Sequence, residues 1–497
     1  MSRAAQSVLD LVCLGIGMML GAGVFVTTGF VAATMAGPAV VLSYAVAGMS
    51  ALLSSLCYSE FAVRMPLVGG AYTYVNAVFG EYLAWVTVAN LILEYILANA
   101  AAIRGFAPYF SMLLNQPSGT FITPWMGYSL DWWAFGLCLA ITCLLTLGTK
   151  ESARFNVILT LLHVLLVVFI IIAGFTKSKP ANAQPFFPFE VRGVFNGAAL
   201  VFFSYIGFDS VACSAEEVRN PSRDLPLGIL GALGVVTACY MLMAAALVMM
   251  VPLAGLDKGA AFAAAFASVG MDWARYIVAL GAVMGIITTT LVGMYATSRL
   301  LAAVGRQHIL PPLLARVHPR LATPYIATIL QGVAAALIAL FTDFADLAEM
   351  VSISTLFAFW MVALALIWHR YCQPRGATPL LQHQAVVGAH MGVIVAASLA
   401  FTIVYQLHPN HWIGMVVCAA VGVAATASLQ LCCKQHNAPT LYGVPLFPYV
   451  PALSVGVNAF LLGQLQKPAY ERFGIWTAVI TLFYIMYRCA WSYRCYR

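Results

Sequence analysis

Gly15–Val26 reads GIGMMLGAGVFV, and Phe202–Val211 reads FFSYIGFDSV. Each segment lies in an apolar run that glycine interrupts near its middle. Gly17, Gly21, Gly23 and Gly207 lack β-carbons, so the backbone can leave helical geometry there and a small ligand can approach it closely. The two interruptions stand five apolar runs apart. Interrupted segments at matching places in two halves mark an inverted five-plus-five repeat, with a substrate site at the repeat interface near the bilayer midplane. Glycines in membrane helices also serve simple close packing. Two clusters at repeat-related positions, one followed at once by Asp209, favour breaks over packing. A dinucleotide loop would need a strand before the glycines and an acidic residue at the right distance after them, and neither is present.

The rest of the chain supplies the matching solvent. Of its 497 residues, 62% are hydrophobic and 8% charged, whereas a soluble domain carries about a quarter charged residues. Apolar runs of about twenty residues recur roughly fourteen times, each long enough to cross a hydrocarbon core of about 30 Å. They fall at about residues 8–33, 38–58, 80–103, 131–148, 155–174, 193–214, 226–251, 273–302, 324–342, 347–369, 386–406, 411–432, 447–466 and 470–493. This predicts an all-α membrane protein with a ten-helix transport core over 1–371 and four further helices over 372–497. The longest connectors are too short for a soluble domain.

The net charge of +7 does not indicate a nucleic-acid partner, because Lys and Arg sit singly in short connectors rather than in a stripe. Topology accounts for it: with Met1 in the cytoplasm, about sixteen of them face inside and about eight outside. An even number of crossings returns the C-terminus to the same side. The 12 Cys form no CxxC pair and no zinc-like spacing with His, so most read as small core residues and no metal or cofactor is expected. The first run starts near Val8 and continues past signal-peptide length, so it reads as a retained span.

A broken helix exposes its ends. Past the first break the amides of Ala22, Gly23 and Val24 open a new helix whose partial positive charge suits a carboxylate. Before it, carbonyls near Met18 and Met19 suit an ammonium group. The second break repeats this with carbonyls near Phe203, Ser204 and Ile206. Together they would hold both charges of an amino-acid zwitterion.

Ionisable groups inside a membrane cost several kcal/mol, which makes each a functional candidate. Asp209 follows the second break, where it can cap the new helix or bond a mobile partner. Glu94 sits mid-span in LILEYILANAAAIRG and can meet a basic side chain or a coupling proton; the alternative is a buried pair with Arg104 or with another helix's Arg. His163 lies in the fifth span, and imidazole titrates near neutral pH, so it can carry a coupling proton or simply be hydrogen-bonded structure. Glu60 and Arg64 end the second span, and Glu216, Glu217, Arg219, Arg223 and Asp224 follow the sixth. Both groups are expected at the cytoplasmic face, either as an inner-gate latch or as ordinary solvated charge.

Several stretches now carry a resemblance over nearly the whole chain: GIGMMLGAGVFVTTG at Gly15, LVGGAYTY at Leu67, LILEY at Leu91, ESARFN at Glu151 and FFSYIGFDSVACSAEEVRNPSRDLPLG at Phe202. RQHILPPLLARVHPRLATPY at Arg306, VSISTLFAFWMVALALIWHRY at Val351 and YERFG at Tyr470 extend it. The chain resembles the amino acid-polyamine-organocation superfamily, specifically its cationic amino acid transporter family in the plant and algal form. The resemblance implies ten core helices in inverted repeat plus four more, and amino-acid uptake by alternating access. It also implies that the substrate carboxylate meets the backbone at Ala22, Gly23 and Val24, and its amino group the carbonyls of Met19, Phe203 and Ile206. Asp209 and Glu94 match acidic residues of the sixth-span motif and the pocket. Similar bacterial proteins carry Lys, linked to proton coupling, at the position of His163, while animal members are mostly voltage-driven uniporters. Family members usually have a few dozen polar residues before the first span; here sorting signals of that kind are absent or lie outside the sequence.

Four readings follow. The first is a proton-coupled carrier of cationic and also neutral amino acids toward the cytoplasm. The second is a sodium-dependent carrier, with Thr288, Thr289 and Thr290 offering oxygens beside the first break. An amino-acid sensor usually has long cytoplasmic tails, which this chain lacks. An embedded enzyme would need an HExxH, GxSxG or P-loop pattern, and none is present.

Overall fold

The computed structural model describes residues 7–65, 70–147, 153–212, 218, 220–318, 323–372 and 381–495. Helix α1 (Val8–Met19) starts from a capping box: the Ser7 hydroxyl accepts the Asp10 N–H while the Asp10 carboxylate accepts the Ser7 N–H at 2.9 Å. Such reciprocal capping satisfies two donors that a helix start leaves open. It is followed by α2 (Ala22–Val31), α3 (Val40–Arg64), α4 (Gly70–Phe79), α5 (Glu81–Arg104), α6 (Phe106–Leu113), α7 (Trp132–Thr146), α8 (Ala153–Thr176), α9 (Glu190–Val201) and α10 (Phe208–Ala212). The remainder is α11 (Pro221–Met250), α12 (Ala261–Ser268), α13 (Asp272–Arg306), α14 (Tyr325–Phe341), α15 (Phe344–Tyr371), α16 (Leu381–Leu407), α17 (Trp412–Cys432), α18 (Tyr449–Gly463) and α19 (Lys467–Cys495).

Among the described residues, seven helical stretches, with Ala22–Arg64 counted as one, are long and apolar enough to cross a membrane; five shorter apolar helices accompany them. Helix occupies each expected stretch, and the first and sixth are divided in two. One departure from the all-helical expectation lies in the connector after α6, where β1 (Thr123–Trp125) pairs antiparallel with β2 (Tyr128–Leu130). Met126 and Gly127 make the turn with φ of 46° and 85°, the two positive angles that a tight hairpin turn matching strand twist requires.

Packing divides the chain into two compact units that do not follow chain order. The first comprises Met1–Leu52, Glu94–Val211 and Glu217–Ser352; the second comprises Leu53–Leu93, Ala212–Glu216 and Ile353–Arg497. In the first, α1 lies along α11 and α8, α7 along α14, and α13 along α6, α12 and α14. In the second, α16 packs on α17 and α18, Phe61 stacks on Tyr74 at 4.8 Å between centroids, and Tyr58 meets Phe359 edge-on. A buried polar link joins α3 to α18 there, with the Asn458 amide donating to Ser54 and Ser454 hydroxyls at 3.0 and 3.2 Å. Most of α17 is exposed, as suits a helix whose surroundings are hydrocarbon.

Candidate functional site

The first unit contains both interruptions. The Leu20 N–H closes α1 on the Ile16 carbonyl at 2.7 Å; the backbone then turns away at Leu20 and Gly21, and α2 restarts at Ala22 with no side chain capping it. The opening amides of a helix have no partner within it, so an uncapped start inside a core is a ready anion site. In the other segment α9 tightens into a 3-10 turn over Phe202–Tyr205, Ile206 is extended (φ −62°, ψ 137°), and Gly207 takes φ +119° before α10 begins. That φ excludes a side chain without strain, so the glycine there is structural necessity.

The breaks face each other. A β-carbon on Gly23 would fall 2.7 Å from the Ser204 α-carbon, and one on Gly207 would fall 3.2 Å from the Met18 carbonyl oxygen. Across this gap reaches Tyr240 of α11, whose hydroxyl donates to the Met19 carbonyl at 2.6 Å and to the Ser204 carbonyl at 2.9 Å. One proton thus serves two carbonyls, one from each break. Around it the hydroxyls interlock: Thr27 donates to the Gly23 carbonyl at 2.8 Å and meets Ser204 Oγ and Tyr44 Oη at 2.9 Å each. Thr28 meets Tyr44 at 2.7 Å, and Tyr205 donates to the Tyr44 carbonyl at 2.8 Å. Tyr44, Tyr205 and Tyr240 are all fully buried, and burial of so many hydroxyls is tolerable only because each is bonded.

Met19 and Gly23 of the first break lie beside Ser204 of the second, with Ala22, Val24, Phe203 and Ile206 adjoining them along the chain. The carbonyls of Met19 and Ser204 are not bare; a protein hydroxyl already occupies the direction from which an ammonium would come. Sequence reasoning missed Tyr240, a polar handle in an apolar span that looks like any interfacial tyrosine until the helices are placed.

Asp209, in the first turn of α10, accepts from the Tyr95 hydroxyl at 2.5 Å, a hydrogen bond across to α5. Glu94, beside Tyr95 on α5, is buried. Its suggested pairing with Arg104 is geometrically excluded, since ten residues of helix separate them by roughly 15 Å. Arg104 instead donates to the carbonyls of Thr342 at 2.8 Å and Ser129 at 2.7 Å, and faces Asp343 at 3.4 Å and Asp131 at 3.8 Å.

His163 is not at the breaks. Its ring lies against Phe25 of α2, 5.7 Å between centroids, and over Gly285 of α13, where any β-carbon would collide with it. Its Nε2 is buried without a hydrogen-bond partner among the described residues. Of the three threonines, Thr288 and Thr290 bond within α13, whereas the Thr289 side chain fills the space beside Gly21.

Glu60 and Arg64, in the second unit, depart from the interfacial picture. Glu60 is completely buried. It receives Arg370 Nε at 2.8 Å and Arg370 Nη2, the Val444 N–H at 2.8 Å, and Arg64 at 3.2 Å. Arg64 also donates to the Asn437 carbonyl at 3.0 Å, and the Asn437 amide closes the end of α15 on the carbonyls of His369 and Cys372. The carboxylate is thus the anchor of a buried node holding the connector between α17 and α18, a use not legible from the residues around Glu60 alone. Arg219, Glu216 and Glu217 lie outside the described residues.

The amino acid permease family matches residues 7–424, and the C-terminus of AA_permease matches 442–492. Cationic amino acid transporter 1 of Arabidopsis thaliana is 42% identical over 96% of this chain and 81% of its own length. The chloroplastic cationic amino acid transporter 7 of the same plant is 41% identical over 97% and 85%. The methylthioribose transporter of Bacillus subtilis is 38% identical over 84% and 91%.

Proposed function

The chain belongs to the amino acid permease family, among the cationic amino acid transporters, and from that premise we propose a carrier that grips the α-amino-acid head between its two interrupted helices. It is a multi-pass membrane transporter of amino acids and not an enzyme. The observation that carries the proposal is the Tyr240 hydroxyl bridging the Met19 and Ser204 carbonyls, because a donor held between two carbonyls marks where a substrate ammonium finds acceptors. The carboxylate meets the amides of Ala22, Gly23 and Val24; Phe203 and Ile206 contribute further carbonyls, and Glu94 and Asp209 face the substrate side chain.

Cationic substrates are favoured, neutral ones accepted. Inward movement of a cation gains about 2.3 kcal/mol per charge per 100 mV of membrane potential. The carrier works by alternating access in an inverted repeat of ten helices over 1–371, with fourteen crossings in all and both termini in the cytoplasm. Its membrane is that of the cell surface, a vacuole or another organelle. Glu60 and Arg64, joined by Arg370, form the latch of an inner gate.

Coupling is assigned to His163 and the proton. A charge gained on its ring, wedged between Phe25 and Gly285, would press on α2 and α13 beside the first break. A sodium-coupled reading is favoured by one contact, the Thr289 side chain against Gly21. Uptake of labelled arginine, alanine and glutamine into proteoliposomes, in sodium-free medium with and without a pH gradient, decides between them. Gradient dependence that vanishes in His163→Ala supports the proton; uptake that persists unchanged in that variant rejects the assignment.

A further inference from the structure

The second unit contains a crevice of about 470 Å³, walled by Phe357 and Trp360 of α15, Leu399 and Ile403 of α16, Ala459 of α18 and Tyr470 of α19. Its polar wall residues are turned into the protein. Thr402 donates to the Ser398 carbonyl at 2.9 Å, the Gln406 amide to the Gly463 carbonyl at 2.6 Å and Gln464 Oε1 at 3.1 Å, and the Tyr470 hydroxyl to the Leu462 carbonyl. What remains facing the space is carbon. Water in a cavity needs two to four polar partners, so this one suits hydrocarbon.

Its mouth continues the surface that α16 shows to the bilayer, where Ile403 and Leu407 are 56% and 67% exposed. From Leu407 at the end of α16 the wall runs inward to Leu399, roughly 12 Å at the helical rise per residue, close to the half-thickness of a hydrocarbon core of about 30 Å. Lys467, one turn before Tyr470 at the start of α19, is 87% exposed and faces Glu471 at 3.6 Å. It sets the level of the polar headgroups at that end.

We propose that this crevice is a lipid site that takes one acyl chain of a membrane phospholipid, inserted from the leaflet nearest Lys467. Volume, depth, a carbon-only wall and continuity with the lipid-facing surface of α16 select a single extended chain. A sterol would bring a hydroxyl to a wall whose polar groups are bonded elsewhere, apart from the Trp360 indole N–H, which is itself buried away from the space.

The test is native mass spectrometry of the full-length protein, stripped of bulk lipid in detergent and titrated separately with palmitoyl-oleoyl phosphatidylcholine and with a sterol. One retained phospholipid is expected. Ala459→Phe, which fills the crevice from α18, displaces at least two methylenes and lowers occupancy by about tenfold or more. Should that variant fail to fold, Ile403→Phe fills the same space from the exposed rim. Phospholipid occupancy equal in the parent and the folded filled variant overturns the proposal. So does no retained lipid, or a sterol that displaces the phospholipid.

Discussion

Replacing Tyr240 with Phe keeps the ring packed against Tyr44 and Tyr205, 5.3 and 5.4 Å between centroids, and removes only the proton shared by the Met19 and Ser204 carbonyls. In the empty carrier a buried acceptor then loses its donor, at a cost of about 1–3 kcal/mol. A bound substrate restores a donor, because an ammonium group carries three N–H bonds. The variant is therefore destabilised empty but not loaded, and the difference is added to apparent affinity. At 1.4 kcal/mol per factor of ten, KM for arginine should fall about 5- to 140-fold. Turnover should fall as well, since releasing substrate recreates the orphan carbonyl. Two assays read this: concentration-dependent arginine uptake into proteoliposomes, and apparent melting temperature in detergent with and without saturating arginine. The unliganded protein should melt earlier and saturating arginine should close most of the gap. A KM that is unchanged or raised, or a stability loss that arginine leaves intact, would refute the idea that Tyr240 and the substrate amine address the same carbonyls.

The remaining expectations are simpler. Gly23→Ala places a methyl 2.7 Å from the Ser204 α-carbon, backbone that cannot turn aside, so uptake should fall at least about fivefold while expression holds, given overpacking costs of about 1–3 kcal/mol. Tyr95→Phe removes the donor to Asp209 and should weaken arginine uptake by roughly 12- to 140-fold, the net worth of a hydrogen bond to a charged group at about 1.5–3 kcal/mol. Glu60→Leu strands Arg370 as a buried charge and should cost about 3–5 kcal/mol, seen as lost expression or a large drop in melting temperature. The double change Glu60→Leu with Arg370→Met should recover much of that loss; a double variant as unstable as the single would contradict a buried pair.

What could be read beforehand was whatever a residue declares alone. Gly21, Gly23 and Gly207 advertise breaks because a missing β-carbon is a property of one position, and apolar runs advertise helices because hydropathy needs no partner. Tyr240 could not be seen this way, since its role exists only once α11 lies beside the end of α1 and the 3-10 turn at Phe202–Tyr205. Arg104 misled for the complementary reason: being near Glu94 in sequence hid the helical rise that keeps them apart. The hairpin at Thr123–Leu130 did leave a trace, the Met126-Gly127 pair between strand-forming residues, which the length of the surrounding connector obscured. His163 was found as a titratable group in a span, but nothing in its neighbours announced Phe25 and Gly285 as its walls.

The node at Glu60 also bears on how the protein is made. Its carboxylate must wait 310 residues for Arg370 and 384 for Val444. At a synthesis rate of about 5–20 residues per second, that interval is roughly 15–60 s, during which the acid on α3 has Arg64 beside it but not Arg370. The nascent helix thus inserts before the bidentate partner of its acid exists, and its final seating belongs to the last stage of biogenesis. A ribosome-stalled chain ending before Arg370 should therefore remain open to quality-control proteases that ignore the finished carrier.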